Sequence, residues 1–426
     1  MKASPQEAPG RRPAIGPRPH RGRADPRAAR QSSLREHNLS LVLRHIVDAP
    51  TPTTRARIAS SVGLTRATVS DLVDRLLRGQ LVAELEPETV DRAGRPGMLL
   101  APAQRAVVGL GLEIQVDRIS VGATDLAGSS IFQLDAEGNF RGCDPAEAVR
   151  RLVRLATPAV ARLDAEGILV AGACVSVPGM MQRNDGLVLL APNLGWEGVP
   201  LVALLQSHQP FDLVPVELGN DADLAARAEV RARASSRVGG HAAQSFLYLA
   251  GGVGIGGAIV VDGELAGGQH GWSGEIGHTV IDPDGPRCRC GATGCLEQYA
   301  GKDALLLAAG LDVCEPIDRL LAAARGGEEP ALQSLDSASC ALGMAIATAM
   351  NVVGVEQVVL GGIYAALHEQ LRAGIETQVR RRVLAARWGD VRVETAIEGG
   401  DAALVGASLQ VLDRVLSDPA DWVPAS

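Results

Sequence analysis

The residues best equipped for chemistry lie between Glu275 and Glu297, in Glu275-Ile-Gly-His278 and Cys288-Arg-Cys290-Gly-Ala-Thr-Gly-Cys295-Leu-Glu297. Three of the seven cysteines fall within eight residues, and a histidine stands ten positions upstream. Thiolates at C-x-C-x4-C spacing, with Gly291 and Gly294 letting the backbone fold back, can converge on one ion. With His278 as the fourth donor, Cys288, Cys290 and Cys295 make a Cys3His set, the ligand pattern of a closed, tetrahedral structural zinc site. The competing reading is a loop of reduced cysteines or a disulfide. Glu275 and Glu297 flank the cluster, which suggests that the metal shapes a ligand site and does no chemistry itself.

The elements that position these groups are bounded first by composition. A chain of 426 residues with 46% hydrophobic content can bury two or three domain-sized cores. No uncharged apolar run of about 18 residues is read, so no membrane span is expected. The start, MKASPQEAPGRRPAIG, is positive but has no apolar core behind it, so no secretory signal is expected. A cytoplasmic, reducing environment follows, which favours metal over disulfide. Residues 1–105 carry 18 Lys+Arg against 10 Asp+Glu, and the remainder 23 against 39. A basic front on an acidic body points the front, and not the body, at a polyanion.

Residues 1–33 are rich in Pro, Arg and Ala without apolar periodicity, and are expected to be a disordered basic tail. From residue 34 to 103 a DNA-binding domain is read. Leu39, Val42, Leu43, Ile46 and Val47 make one helical stripe, ended by Pro50 and Pro52. Thr54 can cap a short helix through Ala59, Val62-Gly63-Leu64 turns, and Thr65 can cap a third helix with Val69, Leu72, Val73 and Leu76 facing inward. That is helix-turn-helix spacing. Two short strands, Leu81–Leu85 and Met98–Leu100, enclose Arg92-Ala-Gly-Arg95-Pro-Gly as a wing. The third helix would offer Thr65, Arg66, Thr68 and Ser70 to the major groove, while Arg92 and Arg95 reach a phosphate or the minor groove.

After Pro102 strands alternate with helices. Val107–Leu112, Ile119–Ala123, Ile168–Val177 and Val214–Leu218 read as strands, with a helix over Ala146–Leu163 that Pro158 kinks or shortens. Phe246–Leu249 and Gly256–Val261 form a Gly-rich hairpin; a helix over Cys340–Val353 and a strand over Val358–Leu360 follow. This order, occurring in two halves, suggests two α/β lobes around a cleft.

Seven motifs across residues 105–415 resemble the ROK family of repressors, uncharacterised reading frames and sugar kinases. They are Val177-Pro-Gly179, Ala191-Pro-Asn193-Leu-Gly195-Trp196, Gly219-Asn220-Asp221, Gly252-Val-Gly254-Ile-Gly256-Gly257, Glu275-Ile-Gly277-His278, the cysteine cluster and Val359-Leu-Gly361-Gly362. The resemblance implies an actin-like, hexokinase-related α/β fold behind the α+β winged helix-turn-helix. It implies a first lobe over 104–219 with a helix at about 400–418, and a second lobe over 220–399 carrying the zinc loop. It also implies a sugar site of Asn193, Asn220, Asp221, Glu275, His278 and Glu297. Carboxylates and amides suit vicinal hydroxyls, since each accepts or exchanges hydrogen bonds with adjacent donors. Asn193 can equally be a turn residue, and Asn220-Asp221 a helix cap.

In the family's kinases Asp221 would be the general base. Those kinases also carry Asp-x-Gly-Gly-Thr-Lys on the first hairpin as a nucleotide clamp. The aligned residues here are Glu113-Ile-Gln115-Val-Asp117-Arg118, without the glycines, threonine or lysine, and Asp117 would face the phosphates; Val253 replaces a threonine of the second phosphate loop. The resemblance therefore implies a sugar-responsive transcriptional regulator, most readily a repressor, that binds operator DNA as a homo-dimer or tetramer and has lost catalysis. The alternative is an ATP-dependent sugar kinase fused to a DNA-binding domain. Gly111-Leu-Glu-Ile114 resembles the family's xylose-type repressors and leans the effector towards xylose.

Overall fold

Helix α1 (Pro26–Val47) opens the computed structural model, which describes residues 26–86, 98–236, 245–389 and 391–424, with side chains from residue 33. Its start precedes the expected Leu34, because proline needs no N–H partner in a first turn and the alanines behind it favour helix. Leu39, Val42, Leu43 and Ile46 are buried against α2 (Arg55–Val62) and α3 (Arg66–Arg78). Thr54 caps α2 by accepting from Arg57 N at 3.3 Å, and Thr65 caps α3 by accepting from Thr68 N at 3.2 Å. Helix α2 runs past the expected Ala59 to Val62, where Gly63 closes it in the left-handed region at φ +71°. Strands β1 (Val82–Leu85) and β2 (Leu99–Pro102) pair antiparallel behind α3. The turn expected to carry Arg92 and Arg95 lies outside the described residues.

The first lobe holds β3 (Val107–Ile114), β4 (Arg118–Asp125), β5 (Ser130–Glu137), α4 (Pro145–Ala165) and β6 (Leu169–Val177). A small sheet of β7 (Met180–Gln182), β8 (Leu187–Ala191) and β9 (Trp196–Val199) follows, then α5 (Leu201–Gln206) and β10 (Val216–Asn220). Its main sheet has the order β10-β6-β3-β4-β5, with β3, β4 and β5 antiparallel and β6 and β10 parallel to β3. Helix α4 runs through Pro158 to Ala165 without ending, its inner face of Val149, Leu152, Ala156 and Leu163 keeping it on the sheet.

The second lobe repeats the scheme. It holds α6 (Asp221–Ser236), β11 (Phe246–Gly251), β12 (Ile255–Val261), β13 (Glu264–Leu265), α7 (Glu297–Ala300), α8 (Lys302–Ala308), α9 (Ile317–Arg325) and α10 (Glu329–Val353). Then come β14 (Gln357–Gly362), α11 (Ile363–Ala366), α12 (His368–Arg382) and β15 (Arg392–Thr395). The sheet order β13-β12-β11-β14-β15 again sets an antiparallel meander beside two parallel strands. The last helix, α13 (Ala402–Ser417), returns to lie on β3, β4 and β6 of the first lobe and on α6. The fold is thus a two-lobed, actin-like α/β body behind a small helical head.

The reading that no uncharged run reaches about 18 residues needs correction. Residues 337–355 carry no charge, and α10 is, among the described residues, the one helix long and apolar enough to cross a membrane by length and composition. Here its buried face, including Leu335, Leu342, Ile346 and Met350, packs in the second lobe's core, with α12 alongside.

Candidate functional site

The Cys3His set assembles. The donor atoms of His278, Cys288, Cys290 and Cys295 all lie within 4.8 Å of one another. Cys290 Sγ is 3.7 Å from Cys295 Sγ, and Cys288 Sγ is 3.8 Å from His278 Nδ1. Two thiolates each about 2.3 Å from a tetrahedral ion would stand about 3.8 Å apart, so these edges fit one metal. Short backbone bonds make the loop: Cys288 N donates to Ala292 O at 2.8 Å, Gly291 N to Cys288 O at 3.0 Å, and Ile281 N to Gly294 O at 2.8 Å. Burial and the neighbouring thiols push Cys295 up to about 12 and raise Cys288, so neutral thiols prevail unless a cation offsets the charge.

The same loop presents the flanking carboxylates. Leu296 N donates to Thr279 O at 2.9 Å, tying the segment after His278 to the start of α7, whose first residue is Glu297. Glu297, 6% exposed, accepts through Oε2 from Asn193 Nδ2 at 3.2 Å and from Ile255 N at 3.3 Å. Asn193 Oδ1 in turn accepts from Arg289 Nη1 at 3.0 Å. First-lobe and second-lobe residues therefore meet across the cleft. Gly254 sits between them: a Cβ there would be 2.5 Å from both Asn193 Nδ2 and Glu297 Oε2. Glu275 is pushed up to about 7, first by burial and then by the charges of Asp221, Asp223 and Glu297. Burial likewise raises Asp221, against hydrogen bonds from Gln115 and Ala222 N. The charges of Asp221, Asp223 and Glu297 all act on Glu275, so these carboxylates are close neighbours.

Asn220 is differently employed. Its Oδ1 accepts from Ala222 N at 2.9 Å and Asp223 N at 3.1 Å, capping α6, and its Nδ2 donates to Gly179 O at 3.0 Å. One amide hydrogen at most is left for a ligand. Asp221 also helps the cap, through Oδ1 to Ala222 N at 2.9 Å, but turns Oδ2 to Gln115 Nε2 at 3.1 Å.

Gln115 is the residue that motif reading passed over. It stands in the stretch compared with the kinase nucleotide clamp, and its amide also reaches Glu113 Oε1 at 3.2 Å. Glu113, 2% exposed, is pushed up to about 7 by burial, opposed by Arg118 and Gln115. Asp117, expected to face and repel phosphates, pairs with Lys302 Nζ across the cleft at 3.4 Å. Repulsion by Asp117 is thus partly offset. A side chain at Gln115 where the kinase pattern has glycine remains. Arg289, inside the cysteine loop, was also missed. Its position between two ligands was a usable signal, because a fixed loop fixes that guanidinium too.

On the head, Thr65, Arg66 and Thr68 are exposed and Ser70 half-buried along α3. The Thr65 hydroxyl is engaged in the cap and with Thr68 Oγ1 at 2.9 Å. Asp74 on the same helix pairs with Arg55 at 2.9 Å, so its charge is partly neutralised.

The ROK family pattern matches residues 119–414. The chain is 28% identical over 401 residues to the xylose repressor of Caldicellulosiruptor bescii, covering 91% of this chain and 98% of that protein. A match of that span takes in the head as well as the body. To the glucokinase of Halalkalibacterium halodurans it is 31% identical over 252 residues, 55% of this chain and 74% of that enzyme. A crystal structure of a ROK family transcriptional regulator, a homologue of the E. coli Mlc protein, shares the fold with a TM-score of 0.72 at 24% identity, over 91% of this chain and 98% of that one. That pattern spans more than half of the chain, the Cys3His loop included, and the chain belongs to the ROK family.

Proposed function

We propose that this protein is a sugar-responsive, DNA-binding transcriptional repressor of carbohydrate uptake or catabolism genes. The observation that carries it is the pairing of an acidic, amide-lined cleft with a helix-turn-helix head on one chain, while Gln115 occupies the place of the kinase clamp. Asn193, Asp221, Glu275, His278 and Glu297 bind the sugar, with Asn220 chiefly holding α6 in place. A pocket of paired polar groups discriminates between sugars, because a missing hydroxyl leaves one of them unpaired. The lean towards xylose draws on the Gly111–Ile114 segment and on the relatives named xylose repressors.

Zinc is the metal that suits three thiolates and an imidazole, one ion per chain. His278, Cys288, Cys290 and Cys295 would hold it, and when bound it keeps the thiolates deprotonated and closes the loop. The chain's own residues then do the work: the closed loop aims Glu275, Arg289 and Glu297 into the cleft. The repressor acts in the cytoplasm as a homo-dimer or tetramer, with α3 of each head in the major groove and Arg92 and Arg95 at the backbone or minor groove.

The kinase reading is favoured by one feature, the Asp221 carboxylate beside the cleft, raised by burial as a base would be. Against it, Gln115 holds the Oδ2 that a sugar hydroxyl would need, and positioning of the nucleotide is the larger part of phosphoryl transfer. Calorimetry of the full chain with D-xylose, D-glucose and ATP-Mg tests both readings. Sugar binding without ATP binding is expected; ATP-dependent sugar phosphorylation would overturn the non-enzymatic reading.

A further inference from the structure

Helix α13 spans the distance from the cleft to the head, and one cation sits where it begins. Arg118 Nη2 donates to Gly400 O at 3.0 Å, and Nη1 lies 3.6 Å from Oδ1 of Asp401, the residue before the helix. Nη2 also reaches Glu113 Oε2 at 3.2 Å. Glu113 Oε1 accepts from Gln115 Nε2 at 3.2 Å, and that same amide donates to Asp221 Oδ2 at 3.1 Å. An unbroken row of polar contacts therefore runs from Asp221 in the cleft to Asp401, the residue that precedes α13.

The helix itself has no slack. A Cβ on Gly111 of β3 would lie 2.2 Å from Leu404 O, and one on Gly406 would lie 1.8 Å from Leu224 O of α6. Backbone contact of this kind transmits displacement, since close-packed interiors have nowhere to absorb it. At the far end Leu416 O accepts from Ser40 Oγ at 2.6 Å, and Ser417 Oγ accepts from Arg44 Nη2 at 2.8 Å, both from α1. Val411, Leu412 and Val415 share one core with Leu39, Leu43 and Ile46 of the head.

We propose that Arg118 is the positioning residue that couples occupancy of the cleft to the head, acting on Asp221 through Glu113 and Gln115 and on α13 through Asp401. The proposal rests on the sugar-responsive reading above. A sugar hydroxyl that donates to Asp221 Oδ2 competes with the Gln115 amide. The freed amide shifts towards Glu113, and the Glu113–Arg118–Asp401 contacts adjust with it. What reaches the head is a displacement of α13 as a rigid rod, biasing one of two orientations.

The test uses the full chain, Arg118→Gln, and D-xylose, D-glucose and N-acetyl-D-glucosamine as probes. Calorimetry gives the sugar Kd; hydrogen exchange with and without sugar reads the segment 275–297, α1 and α13. Arg118→Gln is expected to bind sugar within about threefold of the unaltered chain and to keep the exchange change at 275–297. The sugar-induced change in α1 and in the far half of α13, on the order of 5- to 150-fold in protection for a coupled site, is expected to disappear. A purely structural Arg118 would lower protection everywhere and leave the sugar-induced difference intact, and that result overturns the proposal. Asp401→Asn cuts the same row from the helix side and decides the matter if Arg118→Gln folds poorly. If none of the sugars alters exchange in the unaltered chain, the sugar-responsive reading falls and the relay falls with it.

Discussion

Gly254→Ala is the smallest perturbation that reaches the cleft. The new methyl would lie 2.5 Å from Asn193 Nδ2 and from Glu297 Oε2, about 1 Å short of ordinary contact. Neither neighbour retreats freely: Asn193 is held at its other end by Arg289, and Glu297 is 6% exposed and bound to Ile255 N. The bond between Asn193 and Glu297 therefore parts, and both groups leave the geometry that a sugar would meet. A hydrogen bond to a charged group contributes about 1.5–3 kcal/mol, so sugar affinity is expected to fall about ten- to 150-fold. Overpacking by one methyl also lowers Tm, by a few degrees. Calorimetry with D-xylose, D-glucose and N-acetyl-D-glucosamine, paired with a circular-dichroism melt, measures both. A variant that binds the sugar recognised by the unaltered chain with unchanged Kd would refute the placement of the site around Gly254.

Three further outcomes are expected. Cys290→Ser should leave less than one zinc per chain by elemental analysis and weaken sugar binding in the same preparation, because a structural site missing one ligand no longer fixes the loop that carries Glu297; full sugar affinity in a zinc-free chain would count against the clip. Glu113 is raised to about 7 by burial, so the folded state holds its proton where the unfolded chain has lost it. The stability this contributes is present at acid pH and fades as pH rises from about 4.5 to 7, by roughly 2–3 kcal/mol, and Glu113→Gln should flatten that slope in melts taken from pH 5 to 8; an unchanged slope would place the titration elsewhere. Arg66→Ala should reduce affinity for DNA selected by the protein from a random pool about tenfold and lower the salt dependence by about one ion, read by fluorescence anisotropy, whereas an unchanged salt slope would take Arg66 off the DNA face.

The cysteine loop is legible in the sequence because its information is local. Four donors within a short stretch, and glycines between them, restrict the loop to shapes in which they converge, and the structure brings them together. The stripes of α1 and α3 and the caps Thr54 and Thr65 were legible for the same reason, since one helix face and one N–H pair decide them. Boundaries were less so: α1 starts before its apolar stripe, and α4 ignores Pro158, because packing along the rest of a helix outweighs one awkward residue. The uncharged stretch of α10 shows the limit of composition, as a helix with this run serves a core as readily as a membrane.

What sequence alone determined, then, was chemistry held within a few turns of chain: the ligand set, the caps, and the glycines that fit a two-lobed body. Tertiary structure decided which polar groups are already engaged. Asn220 is a cap because α6 begins beneath it, and Asp117 is paired because Lys302 faces it across the cleft. Gln115 touches Asp221 from 106 positions away. The reach from Asp221 to the head through Arg118 and α13 belongs wholly to this second class. Its contacts with α13 and the head join residues hundreds of positions apart, and hydrogen-bond geometry over such separations exists only once the lobes and the last helix have packed.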